Sequence, residues 1–108
     1  MTIDILGTKY EIVCSSAEQD EKLKTMDGYC DWTAKRIVID TDIDDCTESV
    51  EDVAKHFRRV ATHEIIHAFF EESGMEEYSH DETLVCWLSA MVNRIVAEQE
   101  KVKTIFRR

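Results

Sequence analysis

From about Ser49 to Ser73 the chain reads as a helix, and its stretch Val60 to Phe70 is small and apolar apart from three chemical groups within five residues, His63-Glu64-Ile65-Ile66-His67. Val53, Phe57, Val60, Ile66 and Phe69 recur at mostly helical intervals and predict a helix packed against a sheet. Histidines at i and i+4 stand one above the other on a single helical face, so both imidazoles can reach one ion. Glu64, rotated round the helix from His63, can touch a water on that ion. Polar groups in so apolar a setting need partners, because burying them without any is costly. One helical turn therefore supplies two metal ligands and a candidate general base. The plainer reading is a core helix whose histidines hydrogen-bond to neighbouring carboxylates.

At 108 residues and 44% apolar content the chain makes one domain, large enough for a single core. The opening Met1-Thr2-Ile3-Asp4 shows no basic stretch followed by an apolar one, so no export signal is expected and the cytoplasm is the expected location. No apolar run is long enough for a membrane span. The net charge of −10 repels phosphates and argues against direct nucleic-acid binding. Cys14, Cys30, Cys46 and Cys86 form no C-x-x-C pair and are expected to be free, buried thiols. Lys101, Lys103, Arg107 and Arg108 make a small basic end, as a helix dipole favours.

Ile3 and Ile5, then Tyr10, Ile12 and Cys14, alternate with polar residues around Gly7-Thr8, which predicts a hairpin with a two-residue turn. Ser16 to Thr25 is polar, a short capped helix or a loop. Asp27-Gly28 marks a turn, and Tyr29 to Trp32 and Arg36 to Ile39 predict two further strands. The helix from about Ser49 ends at Gly74. A second begins between Ser79 and Asp81 and runs toward Lys101, with Leu84, Trp87, Leu88, Met91 and Ile95 as its core-facing stripe. Strands followed by two long helices give an α+β fold, a small antiparallel sheet of three to four strands packed on the helices.

A catalytic zinc site needs a third protein ligand. Glu71 and Glu72 follow on the same helix, and Glu71 lies about 6 Å further along the axis than His67, too far to close round the ion. The candidates lie beyond Gly74: Glu76, Glu77, His80, Asp81 and Glu82. Glu82, in the first turn of the second helix, is the first choice, although Ser79-His80-Asp81-Glu82 also fits a capping box. His80 is the second, or else a donor to the oxyanion.

The segment His63 to Phe69, the helix end Glu72-Ser73-Gly74, and His80-Asp81-Glu82 running into Val85-Cys86-Trp87 resemble short zincin-type metallopeptidases encoded by bacteriophages and prophages. So do Ile5-Leu6-Gly7-Thr8-Lys9-Tyr10, Asp27-Gly28-Tyr29-Cys30-Asp31 and Lys35 to Ile39, so that the resemblance covers most of the chain. These proteins are similar in turn to minimal zincins of the ImmA/IrrE and SprT types. The first type implies a glutamate third ligand, here Glu82, and the second a later histidine, here His80. The phage proteins carry an acidic residue before the tryptophan, where this chain has Cys86.

With zinc held by His63, His67 and Glu82, Glu64 would serve as general base toward a zinc-activated water attacking a peptide carbonyl. Tyr78 or His80 would stabilise the oxyanion, and the substrate would pair along a sheet edge, Arg36 to Ile39 being the expected strand. The resemblance implies a protein or peptide substrate, in the ImmA/IrrE case a repressor-like regulator. The alternative is a zinc-containing phage protein with little catalysis that sequesters a host or phage regulator. Asp40 to Glu51 echoes a calcium loop, but Asp45 stands where the turn needs glycine.

Overall fold

In the computed structural model, residues 1–42 and 50–106 are described, the side chains of 50–52 and 106 excepted. The loop echoing a calcium site lies mostly outside them, as do Cys46, Arg107 and Arg108. Four strands, β1 (Thr2–Ile5), β2 (Thr8–Ser15), β3 (Gly28–Asp31) and β4 (Arg36–Asp40), precede three helices: α1 (Val50–Glu72), the single-turn α2 (Glu76–Ser79) and α3 (Glu82–Lys103). The α+β class expected from the sequence is present.

The sheet is mixed, with strand order β1-β2-β4-β3, and this corrects the expected antiparallel one. β1–β2 and β3–β4 are antiparallel hairpins, but β2 and β4 run parallel, Ile12 beside Ile37 and Cys14 beside Ile39. A parallel neighbour requires a crossover of about a dozen residues or more. Residues 16 to 35 supply it: 16 to 27, with a 3₁₀ turn (Glu21–Lys24) capped by Asp20 and anchored by buried Leu23, pass the end of β4 to reach β3, which returns the chain into β4. Alternation shows which face a side chain takes and says nothing of which strand lies next to which.

The β1–β2 turn is Leu6-Gly7, one residue earlier than expected. Both take positive φ, 52° and 91°, as a two-residue hairpin turn demands, and Asp4 Oδ1 accepts the Gly7 N–H at 2.6 Å. The core joins Ile5, Tyr10, Ile37, Ile39 and Ala68, with Phe57, Val60, Ala61 and Ile65 packed against it. Phe69, expected to face the sheet, is exposed. At Gly28 a Cβ would stand 2.9 Å from Val60 Cγ1 and 2.8 Å from the Val38 carbonyl, so glycine lets β3 lie close against α1.

α1 ends as its sequence predicts. Gly74 (φ 75°) donates to Glu71 O at 3.3 Å and Met75 donates to Phe70 O at 2.9 Å, the paired bonds of a Schellman stop. The chain turns back through α2 and enters α3 with Asp81 as N-cap, its carboxylate accepting the Leu84 N–H at 3.1 Å. Val85 and Ser89 are the buried residues of α3; of the expected stripe Leu84, Leu88 and Met91 are half-buried, whereas Trp87 (61% exposed) and Ile95 (47%) face outward. Ser89 can be buried because its hydroxyl donates to Val85 O at 2.8 Å within its own helix. Thr62 Oγ1 and Asn93 Oδ1, 2.9 Å apart, link the two helices. Among the described residues no helix is long and apolar enough to cross a membrane. The expected burial of the thiols does not hold either: Cys14 and Cys86 are free and exposed, and Cys30 is free and half-buried.

Candidate metal centre

The Schellman stop and the Asp81 cap together fold the start of α3 over the middle of α1. With Asp81 as the cap, Glu82 is not needed for a capping box and its side chain turns to the histidines. His63 Nε2 lies 3.1 Å from Glu82 Oε2, and His67 Nε2 lies 3.0 Å from Glu82 Oε1. The two Nε2 atoms are 3.2 Å apart. Ligands about 2.0–2.1 Å from one tetrahedral zinc ion are roughly 3.3 Å from each other, so this triangle of two imidazole nitrogens and a carboxylate with one oxygen toward each ring has about the right size. Burial holds the His67 imidazole below its ordinary pKa, against the opposing pull of Glu82, and so keeps it neutral with a lone pair to give. These residues fit zinc.

Cys86 Sγ also comes within 4.8 Å of ligand atoms of His63 and Glu82. Its closest approach to the imidazole is to Nδ1, at 3.9 Å, on the side of the ring away from the triangle. His63, His67 and Glu82 are therefore the better ligand set.

A cleft of about 790 Å³ opens beside the triangle, between β3, α1 and α3. Glu64 lies in its wall and is only 7% exposed. No hydrogen bond from the described residues reaches its carboxylate. Burial, with the nearby Glu82 charge as a lesser cause, pushes its pKa up to about 7. Cys30, opposite on β3, is pushed up to about 12, first by burial and then by Glu64 and Glu71, and stays a neutral thiol.

The structure does not bring His80 to this site. It caps α2, its side chain is exposed, and it takes no part in the cleft wall. Tyr78 is also outside, exposed and tilted against Phe70 with ring centroids 5.8 Å apart. The strand facing the cleft is β3; β4 is paired on both sides and has no free edge. Asp40 N–H donates to Asp27 O at 2.8 Å, and the register then turns Tyr29 toward β4 and the N–H and C=O of Gly28 and Cys30 outward.

Two contributors were not foreseen. Ser79 Oγ lies 3.0 Å from His67 Nδ1, and Cys86 lies beside His63 Nδ1. Cys86 could have been found, since it follows Glu82 by four residues and shares its helical face. Ser79 gave only a capping signal. No family model, no curated protein and no solved structure matches this chain.

Proposed function

We propose that this chain is a zinc-dependent metallopeptidase that hydrolyses a peptide bond in a protein substrate, acting in the cytoplasm as the phage-encoded zincins it resembles do. The observation that carries this reading is the convergence of His63, His67 and Glu82 beside Glu64, a largely buried carboxylate that faces an open cleft and that no described residue hydrogen-bonds. His63, His67 and Glu82 would hold the ion. Bound zinc supplies a Lewis acid that polarises the scissile carbonyl and makes water more acidic.

Glu64 takes the proton from the attacking water and passes it to the leaving nitrogen. Without the ion, burial raises the Glu64 pKa to about 7; a bound cation would lower it and favour the carboxylate that accepts the water proton. An extended substrate pairs with the outward N–H and C=O groups of Gly28 and Cys30, which replaces Arg36 to Ile39 as the docking strand. His80 and Tyr78 have no place in this scheme.

Zinc content of the purified protein, measured with His63→Ala, Glu82→Ala and Glu64→Gln, tests the reading. We expect about one zinc per chain, lost in the first two variants and kept in the third, whose proteolysis is abolished. Absence of zinc from the reconstituted wild type would overturn the metal site. Zinc with no cleavage of any protein, and partner capture unaltered by Glu64→Gln, would make the chain a zinc-containing binding protein instead.

A further inference from the structure

We propose that Ser79 and Cys86 are positioning residues for the metal ligands, each fixing one imidazole with its Nε2 toward Glu82, and that the thiol makes the His63 arm the weaker one. This rests on the zinc reading above.

A neutral imidazole has one nitrogen with a lone pair and one with a proton. For Nε2 to bind an ion, the proton must sit on Nδ1, and whatever accepts from Nδ1 selects that tautomer and fixes the ring plane. His67 Nδ1 meets Ser79 Oγ at 3.0 Å, and the Ser79 backbone also hydrogen-bonds the ring. Ser79 is 6% exposed and ends α2, so α2 places its hydroxyl beside His67. His63 Nδ1 meets Cys86 Sγ at 3.9 Å, within reach of a sulfur acceptor but long.

The two arms are therefore held unequally. A carboxylate accepting from Nδ1 would raise the basicity of the ring and with it the metal affinity. A thiol accepts weakly and adds no charge. Cys86 stands one helical turn after Glu82, so ligand and support for His63 come from the same face of α3. The cysteine is exposed at the cleft wall and contributes little packing, so changing it tests the support of His63 without disturbing the core.

Zinc affinity measured by competition with a chromophoric chelator tests this, with long-range ¹H–¹⁵N correlation of the zinc-loaded histidines reporting the tautomers. We expect both rings to carry the proton on Nδ1. Ser79→Ala should weaken zinc binding by roughly 10- to 100-fold, the usual effect of removing such a partner. Cys86→Ala should weaken it less, and Cys86→Ser should recover part of that loss. Cys86→Asp should bind zinc more tightly than the wild type. Because Ser79 is buried, its variant is compared at matched melting temperature in the metal-free form, and the exposed Cys86 series decides if Ser79→Ala does not fold. Wild-type zinc binding with equal affinities across the Cys86 series, or a proton on Nε2 of His63, would overturn the positioning role alone. Failure of the wild type to bind zinc would overturn the metallopeptidase reading and this inference together.

Discussion

Glu64 and Glu72 are the same residue on the same helix, eight positions and about 80° of rotation apart, and the fold drives them in opposite directions. Glu72 closes the C-terminal end of α1 against the sheet. Lys35 Nζ and the Tyr10 hydroxyl both donate to its Oε2 at 2.6 Å, and these bonds hold its pKa below the ordinary carboxylate range. A carboxylate at a helix C-terminus is disfavoured by the dipole, and the Lys35 ammonium offsets that. Glu64 is more deeply buried and has no such donors, so its charge is disfavoured instead. Paired with a cation and a phenol, a glutamate becomes architecture; largely buried and with no donor among the described residues, it stands where the proposed zinc site would need a base.

The sharpest way to break this comparison is to neutralise each carboxylate in turn and measure peptidase activity. Glu64→Gln should lower kcat by roughly 10²- to 10⁴-fold with zinc content unchanged, the range for loss of a positioned general base. Glu72→Gln should leave kcat near the wild-type value and lower the melting temperature. If both variants lost activity equally, the division between the two carboxylates would be wrong.

Some of this division was legible in the sequence. The spacing of His63 and His67 places them on one face, Gly74 marks where α1 stops and Ser79 to Asp81 where α3 starts, which left Glu82 first and His80 second among the candidate third ligands. The remainder depends on long-range pairing. Nothing local to Glu72 reveals that Tyr10, 62 residues away, donates to it. Which strand would border the cleft was equally hidden, because the order β1-β2-β4-β3 depends on the crossover and not on the alternation within any strand. The stripe of α3 was read only in part: Leu84, Leu88 and Met91 are half-buried, but apolar spacing also favoured exposed Trp87 and Ile95 and missed small Ser89, buried with its hydroxyl satisfied within its own turn.

The pH dependence of stability sharpens the comparison, since the two carboxylates carry opposite signs. In the metal-free protein, a Glu64 pKa raised from 4.5 to about 7 means that the folded state binds this proton more tightly than the unfolded chain. Its effect therefore stabilises as pH falls from above 7 toward 4.5, by about 3 kcal/mol across that window, and the gain is lost as pH rises again. Glu72, with a depressed pKa, contributes stability above the ordinary carboxylate range and loses it as pH falls through its folded value. Urea unfolding in the presence of a chelator should show the first slope as the difference between wild type and Glu64→Gln, because His67, held below its ordinary pKa, contributes the opposite slope in both. An unchanged slope in that variant would remove Glu64 as its source.

The smallest effect isolates the architectural carboxylate from its cation. Tyr10 is fully buried, and its hydroxyl, a donor to Glu72, has its pKa raised by burial and by that bond. Tyr10→Phe keeps the ring in the core and removes only the donor, leaving Lys35 on the carboxylate. The expected loss is about 1 kcal/mol, or roughly 4–8 °C in Tm, because a single hydrogen bond is worth little more than that net of water. Since the bond lies at the end of α1 away from Glu64, zinc affinity and kcat should not move. A Tyr10→Phe variant with altered zinc binding would mean that the C-terminal end of α1 is coupled to its middle, and that Glu72 acts on His63 and His67 by holding α1 in place.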